Sequence, residues 1–232
     1  MSGRRPVGIA ALVAAVWLLI GNVTHPIGTT EQYSDGVAFV EHAASTYWVV
    51  NHVLIAVALL VTAWLAWVWA QHLQSARARV VAPFAVILTC IGVAFGVLHV
   101  GGIDGVSLAA WNRLLAGGGE AAPIGADVLL HVHLATMIAW SITLWGGAQV
   151  ALGVTELLEG RRRWLGVLLL VCGALGFAFV FTIALQGQLT ALSEGLLFRP
   201  STAGLTLWLV ATAWGFARTS AAAGSLETTS RD

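Results

Sequence analysis

Lysine is missing altogether from this 232-residue sequence, and charge of either sign is scarce: eleven basic residues, all arginine, face eleven carboxylates, and charged residues make up 9% of the chain. A water-soluble domain carries about 25%. This chain therefore cannot cover a water-facing surface. The formal net charge is zero, and there is no basic block suited to a phosphate backbone, so no nucleic-acid partner is expected. Cysteine is nearly absent. Cys90 and Cys172 each lie inside an apolar run without CxxC spacing, which argues against a disulfide framework or a thiolate zinc site. Proline is rare as well, and Pro83 falls near the start of an apolar run, where it costs little. No apolar run is interrupted at its centre by glycine and proline, so a transport path built on broken helices has little support.

What the chain does have is apolar length. Hydrophobic residues make up 58% of it, gathered into runs at about 7–23, 47–70, 80–101, 128–152, 164–185 and 202–217. Each approaches the roughly 20 residues that a helix needs to cross about 30 Å of hydrocarbon. Isolated spanning segments of this length must be helical, because nothing in the bilayer interior can satisfy an open backbone. The expectation is an all-α integral membrane protein: one six-helix bundle over 1–218, followed by a small, polar, disordered tail over 219–232.

The arginines orient this bundle. With the amino terminus in the cytoplasm, Arg4, Arg5, Arg77, Arg79, Arg161, Arg162, Arg163, Arg218 and Arg231 fall inside, and only Arg113 and Arg199 fall outside. Nine against two is the positive-inside bias of a multi-pass cell-membrane protein with both termini cytoplasmic.

That topology also sorts the histidines. His25, His42, His52, His99, His131 and His133 all fall at the outer face, and only His72 falls at the inner one. Glu31, Asp35, Glu41, Asp104, Glu120, Asp127 and Glu194 share the outer loops. Ionisable residues at membrane depth are costly and mark function more often than residues elsewhere, and histidine is the commonest metal ligand. A metal centre at the extracytoplasmic face is therefore expected.

Helical spacing limits the ligand sets. His131 and His133 are about 200° apart around a helix and face opposite ways, whereas Asp127 is one turn before His131 and shares its face. The first expectation is haem b, used for electron transfer or oxidative chemistry. His52 and His131 are its axial pair, with His99 as substitute, because the first two open parallel spans at matched depth. Gly92, Phe95, Gly96 and His99 form one stripe, and the two glycines leave a notch in which a macrocycle could rest. Close helix packing through the same small residues competes with that reading. The alternative is a copper- or zinc-dependent oxygenase or hydrolase acting on a hydrophobic substrate, with ligands drawn from His52, His99, His131, His133, Asp127 and Asp104. A non-catalytic subunit, a transporter and a pH sensor remain as further alternatives. Expected partners are the lipid bilayer and a membrane redox protein or hydrophobic substrate. The glycine-containing segment 101–125 is long enough to fold over the histidines as a lid.

Overall fold

A computed structural model describes residues 4–25, 34–43, 46–186 and 190–229. Helices account for nearly all of them, and no strand occurs among the described residues. In chain order they are α1 (Arg4–Thr24), α2 (Gly36–His42), α3 (Thr46–Ala70), α4 (Ala76–Gly96), α5 (Leu108–Gly117), α6 (Ala121–Trp140), α7 (Gln149–Glu159), α8 (Arg163–Gln186), α9 (Ala191–Ser193) and α10 (Arg199–Thr229). Three wide-turn π segments join some of them end to end: π1 (Val97–Ser107), π2 (Ser141–Ala148) and π3 (Glu194–Phe198).

Five helical stretches among the described residues are long and apolar enough to cross a membrane: Pro6–Thr24, Thr46–Ala70, Ala76–Gly117, Ala121–Glu159 and Arg163–Gln186. The last apolar run of the sequence lies within α10, which continues through Thr229. The long helices leave large apolar side chains exposed, among them Leu19, Leu60, Trp67, Phe84, Ile87, Val132, Val171 and Phe181. In water such a surface would aggregate; a hydrocarbon solvent covers it.

The interior is held by close approach more than by bulk apolar burial, because lipid tails are as apolar as leucine and offer no reason to leave them. Between α7 and α8 the backbones nearly touch: a β-carbon built on Gly153 would lie 2.8 Å from the Gly166 carbonyl. Threonine hydroxyls inside the bundle return to their own helices, as with Thr62 to the Ala58 carbonyl and Thr89 to that of Ala85, which satisfies those donors. Ends are capped by side chains. Asp35 accepts from the Ala38 amide to start α2 and Ser75 accepts from that of Ala78 to start α4, while Gly160 closes α7 at φ +81°.

Residues 101–117 are helical rather than a loop, running through π1 into α5, and Gly118–Glu120 form the short turn to α6. The segment expected to act as a lid instead supplies part of the bundle wall. At this end α1 and π1 pack against α3, and α2 packs on α5 and α6.

Candidate metal centre

Asp104 lies at the centre of a ring of imidazoles. Its carboxylate is inside the bundle, only 2% exposed, with His52 and His99 at 1% and His133 at 3%. The Oδ1 atom is 2.9 Å from His133 Nδ1, and Oδ2 is 3.5 Å from both His52 Nε2 and His99 Nε2. Three helical segments contribute. His52 stands in the second turn of α3, His99 and Asp104 on π1, and His133 on α6. Donor atoms of His99, Asp104 and His133 all lie within 4.8 Å of one another, so the group could hold a metal ion.

The π geometry makes this possible. In a regular α-helix, residues five apart diverge by about 140°. The i→i+5 turn of π1 brings His99 and Asp104 onto one face, as single wide turns often do at functional sites.

Hydrogen-bond partners constrain which nitrogen of each ring carries a proton. His52 Nδ1 is 2.7 Å from the Trp48 carbonyl. A carbonyl only accepts, so Nδ1 holds the hydrogen and Nε2 presents a lone pair. His99 Nδ1 is 3.0 Å from Thr136 Oγ1, whose own hydrogen can also reach the Val132 and His133 carbonyls. Where that hydrogen goes to a carbonyl, the hydroxyl accepts from His99 and His99 Nε2 is also a lone pair; where it goes to His99 Nδ1, His99 Nε2 donates to Asp104 instead. In the first arrangement, with both rings neutral, two imidazole lone pairs and a carboxylate oxygen point at one another. His133 donates Nδ1–H to Asp104, and its Nε2 is buried with no hydrogen-bond partner among the described residues. An imidazole anchored by a carboxylate on one nitrogen and bare on the other is the arrangement metal-binding histidines adopt.

The cavity beside the ring is about 40 Å³, with Ile55, Val100, Met137, Trp140, Trp145 and Phe198 among its walls. Trp48 stacks on His52 with centroids 4.4 Å apart and planes 24° apart, and Trp140 lies 5.3 Å from His99 and 5.4 Å from Trp145. His25 and Glu194 also line it.

The other residues singled out from sequence sit elsewhere. His131 is exposed on the far side of α6 from His133, and its Nδ1 bonds back to the Asp127 carbonyl at 2.7 Å. The structure does not bring it to His52. Asp127 is exposed as well, and its Oδ1 accepts from the Gly36 amide at 3.0 Å, which ties α2 to α6. Gly92 and Gly96 face the bundle with no notch between them. A β-carbon on Gly92 would lie 2.7 Å from the Leu144 backbone nitrogen, and one on Gly96 2.5 Å from Trp140 Nε1. These glycines let α4 approach α6 and π2. Glu31 lies outside the described residues. His42, at the end of α2, is held below the ordinary imidazole range, first by burial and then by the charge of His25, with Glu194 opposing.

Sequence reasoning put His25 and Glu194 at the outer face but not in the site. Their signal was depth: His25 ends the first apolar run and Glu194 precedes the last. No family model, curated protein or solved structure matches this chain, so the site must be read from its own geometry.

Proposed function

We propose that this chain is a membrane metalloprotein that holds a redox-active ion, copper or iron, at His99, Asp104 and His133 with His52 beside them, and that it serves electron transfer or oxidation of a small reactant. One observation carries the reading. The Nε2 atoms of His52 and His99 converge on one Asp104 carboxylate oxygen, and with both rings neutral and donating through Nδ1 that arrangement repels itself unless a proton or a metal cation sits among them. Donor separations of 3.5 Å suit a shared ion, since two ligands at about 2.1 Å in tetrahedral array stand about 3.4 Å apart. Imidazoles with one carboxylate suit copper, iron or zinc rather than calcium or magnesium.

The enclosure favours small reactants. A cavity of about 40 Å³ has room for about three waters, and its aromatic wall excludes a lipid chain. The tryptophans beside His52 and His99 provide contact outward from the ligands. Haem b is a weaker fit. The Asp104 carboxylate occupies the space between His52 and His99 that a macrocycle would need, and His131, the other expected axial ligand, is exposed.

The proposed setting is the cell membrane, with α10 as a sixth span, both termini cytoplasmic and the metal centre toward the outside. The arginine distribution supports that orientation. A single cysteine introduced at Gly118, in a background lacking Cys90 and Cys172, should react with a membrane-impermeant maleimide in intact cells.

The test is elemental analysis of detergent-purified protein alongside oxidised and reduced absorption spectra. Stoichiometric copper or iron, reduced at least tenfold in His99→Ala, is expected. A Soret band would transfer the site to haem, zinc in a colourless protein would favour hydrolysis, and a metal-free protein purified without chelators would end the reading.

A further inference from the structure

At the end of the bundle opposite the histidine ring, a cleft of about 570 Å³ opens between the end of α3, the turn from α7 to α8, and α10. That volume is within the roughly 300–1,000 Å³ of small-molecule sites. The cleft lies at the edge of the hydrocarbon, because the stretches Thr46–Ala70 and Ala121–Glu159 end here and Arg163–Gln186 begins here. Two exposed tryptophans, Trp164 at the start of α8 and Trp214 on the cleft wall, suit the headgroup level.

The charged side chains around the cleft are unequally engaged. Arg162 pairs with Glu156. Glu159 is held as well: its Oε2 accepts from the Ser75 amide at 2.9 Å, and the Gln74 amide reaches both of its oxygens at 3.1 Å. Both carboxylates thus have partners of their own. Arg161 lines the cleft and is exposed, and its guanidinium makes no ion pair or hydrogen bond among the described residues. It is a cation left to meet a ligand. His72 donates Nδ1–H to the Val68 carbonyl at 2.8 Å, so the neutral ring offers Nε2 as an acceptor. Trp69 and Phe216 supply an apolar wall, with Phe216 edge-on to His72 at 5.1 Å between centroids.

We propose that this cleft binds the headgroup of an anionic phospholipid. The Arg161 guanidinium holds the phosphate through paired N–H donors, His72 Nε2 accepts from a headgroup hydroxyl, and the acyl chains pass over the aromatic wall into the bilayer. Basic pockets between helices at the membrane boundary are suited to such headgroups. A lipid is favoured over a free anion because the cleft stands at headgroup depth, where lipid phosphate is concentrated. The bound lipid contacts three elements of the fold at once and stabilises it by mass action. The site is separate from the metal centre and does not depend on it.

The full chain, stripped of lipid in an uncharged detergent, is mixed with phosphatidylglycerol, phosphatidylcholine or inorganic phosphate; Tm is recorded, and lipid retained after gel filtration is counted. Phosphatidylglycerol should be retained at one per chain and raise Tm by about 5 °C, with little effect from the other two. Arg161→Gln should weaken retention by about tenfold or more. Arg163→Gln, an equal loss of charge at an exposed arginine outside the cleft, should keep it. Gly215 lines the cleft, and a β-carbon there meets nothing within 4 Å. Gly215→Phe should therefore fill the cleft and abolish retention with little change in the lipid-free Tm. Equal retention of the two lipids, equal losses in Arg161→Gln and Arg163→Gln, or full retention in both Arg161→Gln and Gly215→Phe would overturn the site. A Tm rise with inorganic phosphate equal to that with phosphatidylglycerol would overturn the lipid assignment in favour of a soluble anion.

Discussion

The bundle buries carboxylates at both ends, and Asp104 and Glu156 are treated differently. At the end opposite the histidines, Glu156 on α7 is 1% exposed. Arg162 forms a two-pronged ion pair with it, Trp208 Nε1 donates to it at 3.2 Å, and Arg162 also reaches Thr212 Oγ1. A permanent cation and a neutral donor balance that anion, so it needs nothing further. Asp104 has no arginine beside it among the described residues, only histidines. A fixed counter-charge makes a structural site. A shell of metal-competent bases around an anion makes a site that could hold a cation.

Breaking the two pairs should therefore give opposite results. The largest effect is expected from Asp104→Asn, which keeps the shape of the side chain but should abolish metal binding; elemental analysis of the folded fraction checks it. At the other end, Arg162→Met strands the Glu156 charge and should cost about 3 kcal/mol, read as a drop in Tm in detergent. Adding Glu156→Gln to that variant should recover most of the loss, and metal content should stay at the wild-type value throughout. A double variant that lost metal would erase the distinction between the two ends.

Gly92→Ala sharpens the comparison from the packing side. The added methyl meets the Leu144 backbone, which cannot yield as a side-chain tip would. A loss of about 2 kcal/mol is expected, with metal retained by the folded protein. A macrocycle notch at this position would instead show as a change in cofactor content with little change in Tm.

The legible part of this molecule was set by composition and hydropathy. An all-helical chain with membrane-length apolar segments follows from the lack of charge and from the need to satisfy every backbone group in hydrocarbon. The angular argument also separated His131 from His133, but it could not say which faces inward. Both faces of α6 are apolar, since Val128 and Val132 are exposed while Leu129 and Leu130 are buried, so no amphipathic stripe distinguishes the lipid side from the core. The π1 turn was invisible for a related reason. Nothing in Val97–Ser107 marks a change from four-residue to five-residue bonding, and that change alone brings Asp104 round to His99. Segment 101–125 looked like a loop because it holds glycine and charge. Its glycines instead admit neighbours, Gly101 approaching Ala56 and Gly105 approaching Val53.

Smaller effects follow at the periphery. His131→Ala should leave both metal content and Tm unchanged to within about 0.5 kcal/mol, whereas His133→Ala should lose metal. His42 gives the weakest signal. Its imidazole is held below the ordinary value, so as pH falls below about 6.5 the unfolded chain takes up a proton that the folded chain resists, and stability declines. His42→Gln should flatten that acid-side decline of Tm.

The most direct test is the metal content of three proteins purified in parallel: the wild type, Asp104→Asn, and Glu156→Gln with Arg162→Met. The account requires copper or iron in the first and third and none in the second, with all three eluting as folded species. Equal metal in all three, or none in any, would contradict it.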